Sequence, residues 1–118
     1  MDTKHALAAF SALGQETRLE AFRLLVRQSP DGLPAGEVAD RLGVVQNTMS
    51  AHLAVLARSG LIGARRKGRV VEYAVDYEAV RGLLAYLMQD CCQGQPEICS
   101  PLFELVACAP ATKRDENR

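Results

Sequence analysis

Apolar positions recur at helical spacing through the first half of this chain, switch to alternation once, and then return to helical spacing. Residues 6–13 place Leu7, Phe10 and Leu13 on one stripe, which predicts a short amphipathic helix that Gly14 interrupts. A second helix is predicted over 15–28, with Leu19, Phe22, Leu25 and Val26 on its inner face and Arg18, Arg23 and Arg27 outside. Ser29-Pro30-Asp31-Gly32 ends it in a turn. Pro34 stands at the start of a third, short helix over 35–42, with Val38, Ala39 and Leu42 inward and Gly43 as its left-handed C-terminal residue. A fourth helix follows almost at once, over 46–59, with Met49, Leu53 and Leu56 inward and Gly60 closing it.

Two short helices joined by a glycine-containing turn match a helix-turn-helix, although any helical bundle contains similar turns. The next residues sharpen the reading. Residues 61–66 and 70–75 are two strand-like runs joined at Lys67-Gly68-Arg69, a hairpin with a basic, glycine-bearing tip. A helix-turn-helix followed directly by such a hairpin is a winged helix, so the expected fold is mainly α with one β-hairpin, an α+β winged helix-turn-helix. Asp76 is placed to N-cap a last helix over 77–90, whose apolar residues are Val80, Leu83, Leu84, Leu87 and Met88. That stripe is broad for a terminal helix. The first and last helices are therefore expected to form a homodimer interface through Leu7, Phe10, Val80, Leu83, Leu84 and Leu87; the alternative is that both pack on their own domain. The expected organisation is a winged-helix and dimerisation domain over 1–92, a cysteine-bearing effector segment over 91–108 and a disordered tail over 109–118.

A chain of 118 residues makes one domain with a single core. It carries no membrane-length apolar run and no signal pattern, so a cytoplasmic protein without a membrane partner is expected. The formal net charge is zero, but the charge is uneven. From Arg41 to Glu72 the charged residues are Arg41, Arg58, Arg65, Arg66, Lys67, Arg69 and Glu72; from Asp76 to Glu104 they are acidic except for Arg81. A basic middle beside an acidic C-terminal third fits a localised phosphate-binding face, and fits equally a solvated charge run. No Ser-His-Asp order, phosphate-cradling glycine loop or catalytic carboxylate pair is present, so no enzyme is expected.

The chain resembles the ArsR/SmtB family of winged-helix metalloregulatory repressors over roughly residues 6–90. The likeness rests on Glu16-Thr17-Arg18-Leu19 with Leu24-Leu25, on Gln46-Asn47-Thr48-Met49-Ser50-Ala51-His52-Leu53, on Gly60-Leu61-Ile62, and on Arg65-Arg66-Lys67-Gly68-Arg69 with Tyr73. The resemblance implies a homodimer on double-stranded operator DNA. Gln46, Asn47, Thr48, Ser50 and His52 would serve the recognition helix, and Arg66, Lys67 and Arg69 the wing. Departures are visible. Val45 stands where relatives cap the recognition helix with Ser or Thr, and Ala51 where they place a long polar residue. Residues 33–42 lack the cysteines of one known arsenic site, and the last helix lacks the histidines of the zinc site.

Effector chemistry is expected elsewhere. Cys91, Cys92 and Cys99 lie within nine residues, after ninety residues without a cysteine. Adjacent side chains point in different directions, so at most one of Cys91 and Cys92 can face a core well. Three thiolates satisfy trivalent arsenic, arsenic(III), or antimony(III), which form three bonds to soft ligands, and Gly94 and Pro96 allow the chain to fold back. Zinc, cadmium or lead is the alternative, although zinc takes four ligands and wider spacing. A Cys92–Cys99 disulfide that senses oxidants is another, and three semi-buried hydrophobes are the bland reading. Cys108 is expected to be a free thiol. A metal-carrying protein unconnected with DNA would have no use for the basic hairpin.

Overall fold

The computed structural model describes residues 1–89, and Met1–Tyr86 form one compact unit. The expected segments at 91–108 and 109–118, with all four cysteines, lie outside the described residues. The order of elements is α1 (Thr3–Leu13), α2 (Glu16–Arg27), β1 (Leu33–Pro34), α3 (Ala35–Leu42), α4 (Gln46–Arg58), β2 (Ile62–Lys67), β3 (Val70–Val75) and α5 (Tyr77–Met88). The winged helix-turn-helix expected from the sequence is the fold observed.

The first helix starts earlier than its apolar stripe suggests. Asp2 is extended and its carboxylate accepts from the His5 amide at 2.9 Å, satisfying a donor that the first helical turn cannot. Its inner face is made of small residues that the apolar stripe does not mark, and Leu7 and Phe10 lie outside, where a dimer contact requires them. Ala6, Ala9 and Ala12 are the buried residues, whereas Leu7 is 63% exposed and Phe10 40%. Three alanines on one stripe let α1 lie close against its neighbours and turn the larger residues away. In α2 Leu25 is buried as expected, together with Ala21 and Leu24, but Leu19 and Val26, expected inside, are exposed.

Two residues not anticipated as a strand, Leu33 and Pro34, pair with Tyr73 and Glu72 and complete a sheet of order β1-β3-β2. Gly32 precedes them with φ 82°, and a Cβ there would strike the Tyr73 carbonyl, so only glycine fits. Gly43, with φ 68°, closes α3 as expected. The hairpin runs in register from Ile62↔Val75 to Lys67↔Val70, leaving Gly68 (φ 63°) and Arg69 as the turn.

The centre of the core is the back of α4. Met49, Leu53 and Leu56 are fully buried among Leu25, Val38 and Leu61. Asp76 Oδ1 accepts from the Glu78 and Ala79 amides at 3.0 and 3.2 Å and starts α5 as expected. Among the α5 residues named for the dimer surface, Leu83 is buried in the protomer's own core and Val80 packs half-buried against it. Leu83 is therefore a core residue and not part of the exposed dimer surface. Leu84 and Leu87 remain exposed. The N-terminal end of α1 lies beside α5, where Thr3 and Tyr86 share a hydrogen bond between hydroxyls and Met1 covers Gly82.

Candidate nucleic-acid interface

Helix α4 is two-faced. With Met49, Leu53 and Leu56 locked in the core, its first turn presents Gln46, Asn47 and Thr48 to solvent, and Ser50 and His52 lie half-buried at its flanks. The helix has no side-chain cap, because Val45 stands at the N-cap with its apolar side chain 71% exposed. The α3–α4 turn works through small residues. Gly36 leaves space over the first turn of α3 for the Gln46 amide, whose Oε1 lies 3.4 Å from where a Cβ would stand. Of the predicted α4 residues, Gln46, Asn47 and Thr48 share the exposed first turn. His52 is turned partly inward, with Nδ1 3.4 Å from the Arg18 guanidinium.

The wing's basic residues divide into different tasks. Arg65 donates from one terminal nitrogen to the carbonyls of Pro30 and Asp31, at 3.2 and 2.6 Å, and so ties the hairpin to the turn before β1. Lys67 Nζ lies 3.3 Å from Glu72 Oε1, at an angle too poor for a hydrogen bond, so that buried oxygen is held by charge alone. Arg66 reaches only the Gly68 carbonyl, at 3.5 Å, and Arg69 makes no ion pair among the described residues. Alternation along β2 places Arg66 on the sheet face opposite Arg65 and Lys67. Among the described residues neither Arg66 nor Arg69 has an ion-pair partner, and free positive charge is what a polyanion requires.

A polar helix turn backed by the core and flanked by a cationic hairpin is the arrangement that enters a major groove while its wing meets the backbone. A family profile described as a helix-turn-helix domain matches residues 13–62. The transcriptional activator HlyU of Vibrio cholerae is 31% identical over 88 residues, covering 75% of this chain and 79% of HlyU. The chain belongs to the ArsR/SmtB family of winged-helix regulators. An ArsR-like transcriptional regulator from Rhodococcus sp. RHA1 superposes with TM-score 0.68 at 22% identity, covering 88% of this chain and 93% of that one. The homodimeric winged helix-turn-helix DNA-binding domain of Mb0332 from Mycobacterium bovis, described as a possible ArsR-family regulator, gives 0.60 at 24%, covering 74% and 81%. As a member of this family the protein is a DNA-binding transcriptional regulator and not an enzyme.

Three features escaped the sequence. Arg18 was expected on the outer face of its helix and is half-buried instead. Arg65 reads as one more wing cation until its two carbonyl partners are seen, and Glu72, directly across the ladder from Arg65, compensates Lys67. Among the described residues no group of three His, Cys, Asp or Glu side chains is placed to hold a metal. No helix of the described residues is long and apolar enough to cross a membrane.

Proposed function

We propose that this protein is a cytoplasmic, arsenic(III)-responsive repressor. Its homodimer binds operator DNA through paired α4 helices and wings and releases it when trivalent arsenic or antimony engages Cys91, Cys92 and Cys99. One observation carries the effector reading: three thiols fall within nine residues that begin three positions after the last residue of α5. Three thiolates are a complete donor set for a soft, three-bonded centre, and α5 bears the exposed Leu84 and Leu87 of the dimer surface. The thiolates supply the sulfur donors; the helix that precedes them in the sequence belongs to the contact that sets the spacing of the two reading helices. A coupling of about 1–3 kcal/mol between two such sites gives a 5–150-fold loss of affinity, enough for a switch.

Thiol oxidation is the second reading, because the same cluster provides neighbouring sulfurs for a disulfide. The two separate in one titration. Arsenite, zinc, cadmium, lead and peroxide are added in turn to the reduced dimer on labelled promoter DNA, and release is followed by fluorescence anisotropy. Arsenite should release the DNA, and Cys91→Ser, Cys92→Ser or Cys99→Ser should abolish that response with operator affinity nearly intact, whereas Cys108→Ser should behave as the parent. Release by peroxide but not by arsenite transfers the function to redox sensing. Since HlyU is named an activator, a promoter–reporter assay with and without the protein decides the sign of regulation.

A further inference from the structure

Arg18 leaves the first turn of α2 and folds back across the end of α1. Its Nε donates to the Ala12 carbonyl at 2.7 Å and one terminal nitrogen to the Ser11 carbonyl at 3.4 Å. Both carbonyls belong to the last turn of α1, and that of Ser11 also accepts from the Gly14 amide at 3.2 Å. Its other terminal nitrogen lies 3.4 Å from His52 Nδ1 on α4. A guanidinium has five donors and no acceptor. In a hydrogen bond with the guanidinium the imidazole accepts at Nδ1, and a neutral ring accepting there carries its hydrogen on Nε2. An arginine joined by its three nitrogens to the end of one helix and to the reading helix is placed to fix both. His52 is half-buried.

We infer that Arg18 is a positioning residue for DNA recognition: it holds His52 in the Nε2–H tautomer, so that this N–H is a ready donor to an acceptor on the operator. The inference rests on α4 being the reading helix and adds to it the residue that orients one of its side chains. The acceptor is an oxygen or ring nitrogen of DNA, either a phosphate oxygen or a purine base edge. The fixed tautomer matters because a ring that could donate from either nitrogen would present an acceptor to the DNA part of the time.

Nitrogen-15 chemical shifts of His52 in the free wild-type dimer test the link without DNA and without a variant. A protonated Nε2 and an unprotonated Nδ1 are expected, and a ring protonated at Nδ1 overturns the inference. On DNA, Arg18→Gln should weaken operator binding about tenfold, the scale of one well-placed hydrogen bond, with the sedimenting species unchanged. His52→Ala should lose a similar factor, and the double variant should lose no more than either single one. Additive losses overturn the inference. His52→Gln carries an amide nitrogen near the Nε2 position and should keep most of the affinity, whereas His52→Asn places it near Nδ1 and should not; the reverse order refutes the assignment. Loss on operator alone identifies a base edge as the acceptor, and equal loss on random duplex identifies a phosphate. Asn47→Ala separates the two levels of the argument. If it weakens operator binding and Arg18→Gln does not, the positioning role fails; if neither does, α4 is not the reading helix.

Discussion

Removing the free charge of the wing should change the salt dependence of DNA binding in a way fixed by counting. Of the four cationic side chains over residues 65–69, Arg65 is committed to the Pro30 and Asp31 carbonyls and Lys67 stands against Glu72. Arg66 and Arg69 remain, two per protomer and four in a dimer. Each phosphate neutralised contributes about 0.9 to the slope of log K against log salt. Arg66→Ala with Arg69→Ala should therefore flatten the slope by about 3.6 if each arginine meets one phosphate. Between 50 and 200 mM salt that removes on the order of a hundredfold of the affinity change. The double variant should bind much more weakly than the parent at low salt and approach it at high salt, on operator and random duplex alike. Fluorescence anisotropy with a labelled duplex at several salt concentrations reads this directly. Lys67→Ala should change the slope less than either arginine variant. Glu72→Gln, which releases Lys67, should steepen it by up to about 0.9 per protomer, provided thermal unfolding confirms the fold. A double arginine variant with the parental slope would show that the wing does not touch the backbone.

Other consequences follow from burial and capping. Leu84→Glu or Leu7→Glu should give a folded monomer by sedimentation velocity with operator binding lost, because a charge in a desolvated contact is costly unless the contact opens. Leu83→Ala should instead lower the stability of the fold by about 2–5 kcal/mol in denaturant titration, since that side chain fills the protomer's own core. Gly32→Ala should destabilise by more than about 1 kcal/mol, since its φ of 82° and the Tyr73 carbonyl both exclude a Cβ. The Asp2 carboxyl is held below its ordinary range chiefly by the hydrogen bond from the His5 amide, then by the His5 side chain. Its folded value is depressed, so its support of α1 is present above the usual aspartate range and is lost as pH falls through the lowered value; amide exchange in the first turn of α1 should quicken accordingly.

The recognition unit was readable because its signals agree. In α4 the large apolar residues Met49, Leu53 and Leu56 are also the buried ones, and Gly43, Gly60 and Gly68 mark turns that require positive φ. In α2 the same reading misplaces part of the inner face, and in α1 it does not mark the alanines that form it. Periodicity weights the largest apolar side chains, and there the closest packing is made by Ala6, Ala9, Ala12 and Ala21 while Leu7, Phe10, Leu19 and Val26 face out. Strand β1 is two residues long and has no period to detect. Arg18 departs from its expected outer position for a different reason. A long cation at an outward-looking position can turn back to carbonyls at a helix end, and one-dimensional spacing does not record where the end of the preceding helix lies. The wing arginines were legible as charge, but which of them are free depends on the cross-strand neighbours set by the register.

The alanine face of α1 bears on how the dimer contact proposed above could reach the DNA. A helix that showed its large residues to its own core would have little apolar surface left for a second copy. By burying alanines, α1 keeps Leu7 and Phe10 outside while remaining tightly seated on α2 and α4. Close-packed interiors shift as blocks rather than deforming smoothly, and the Arg18 guanidinium joins the last turn of α1 to His52 on α4. In the proposed dimer, a displacement of α1 at that contact would be carried to the reading helix instead of being absorbed by flexible side chains. Two reading helices must stand about 34 Å apart to enter successive major grooves. In the proposed dimer a small rotation at the contact would be magnified over that distance, so an effector bound by the cysteines that follow α5 in the sequence need not approach the DNA to loosen the protein's hold on it.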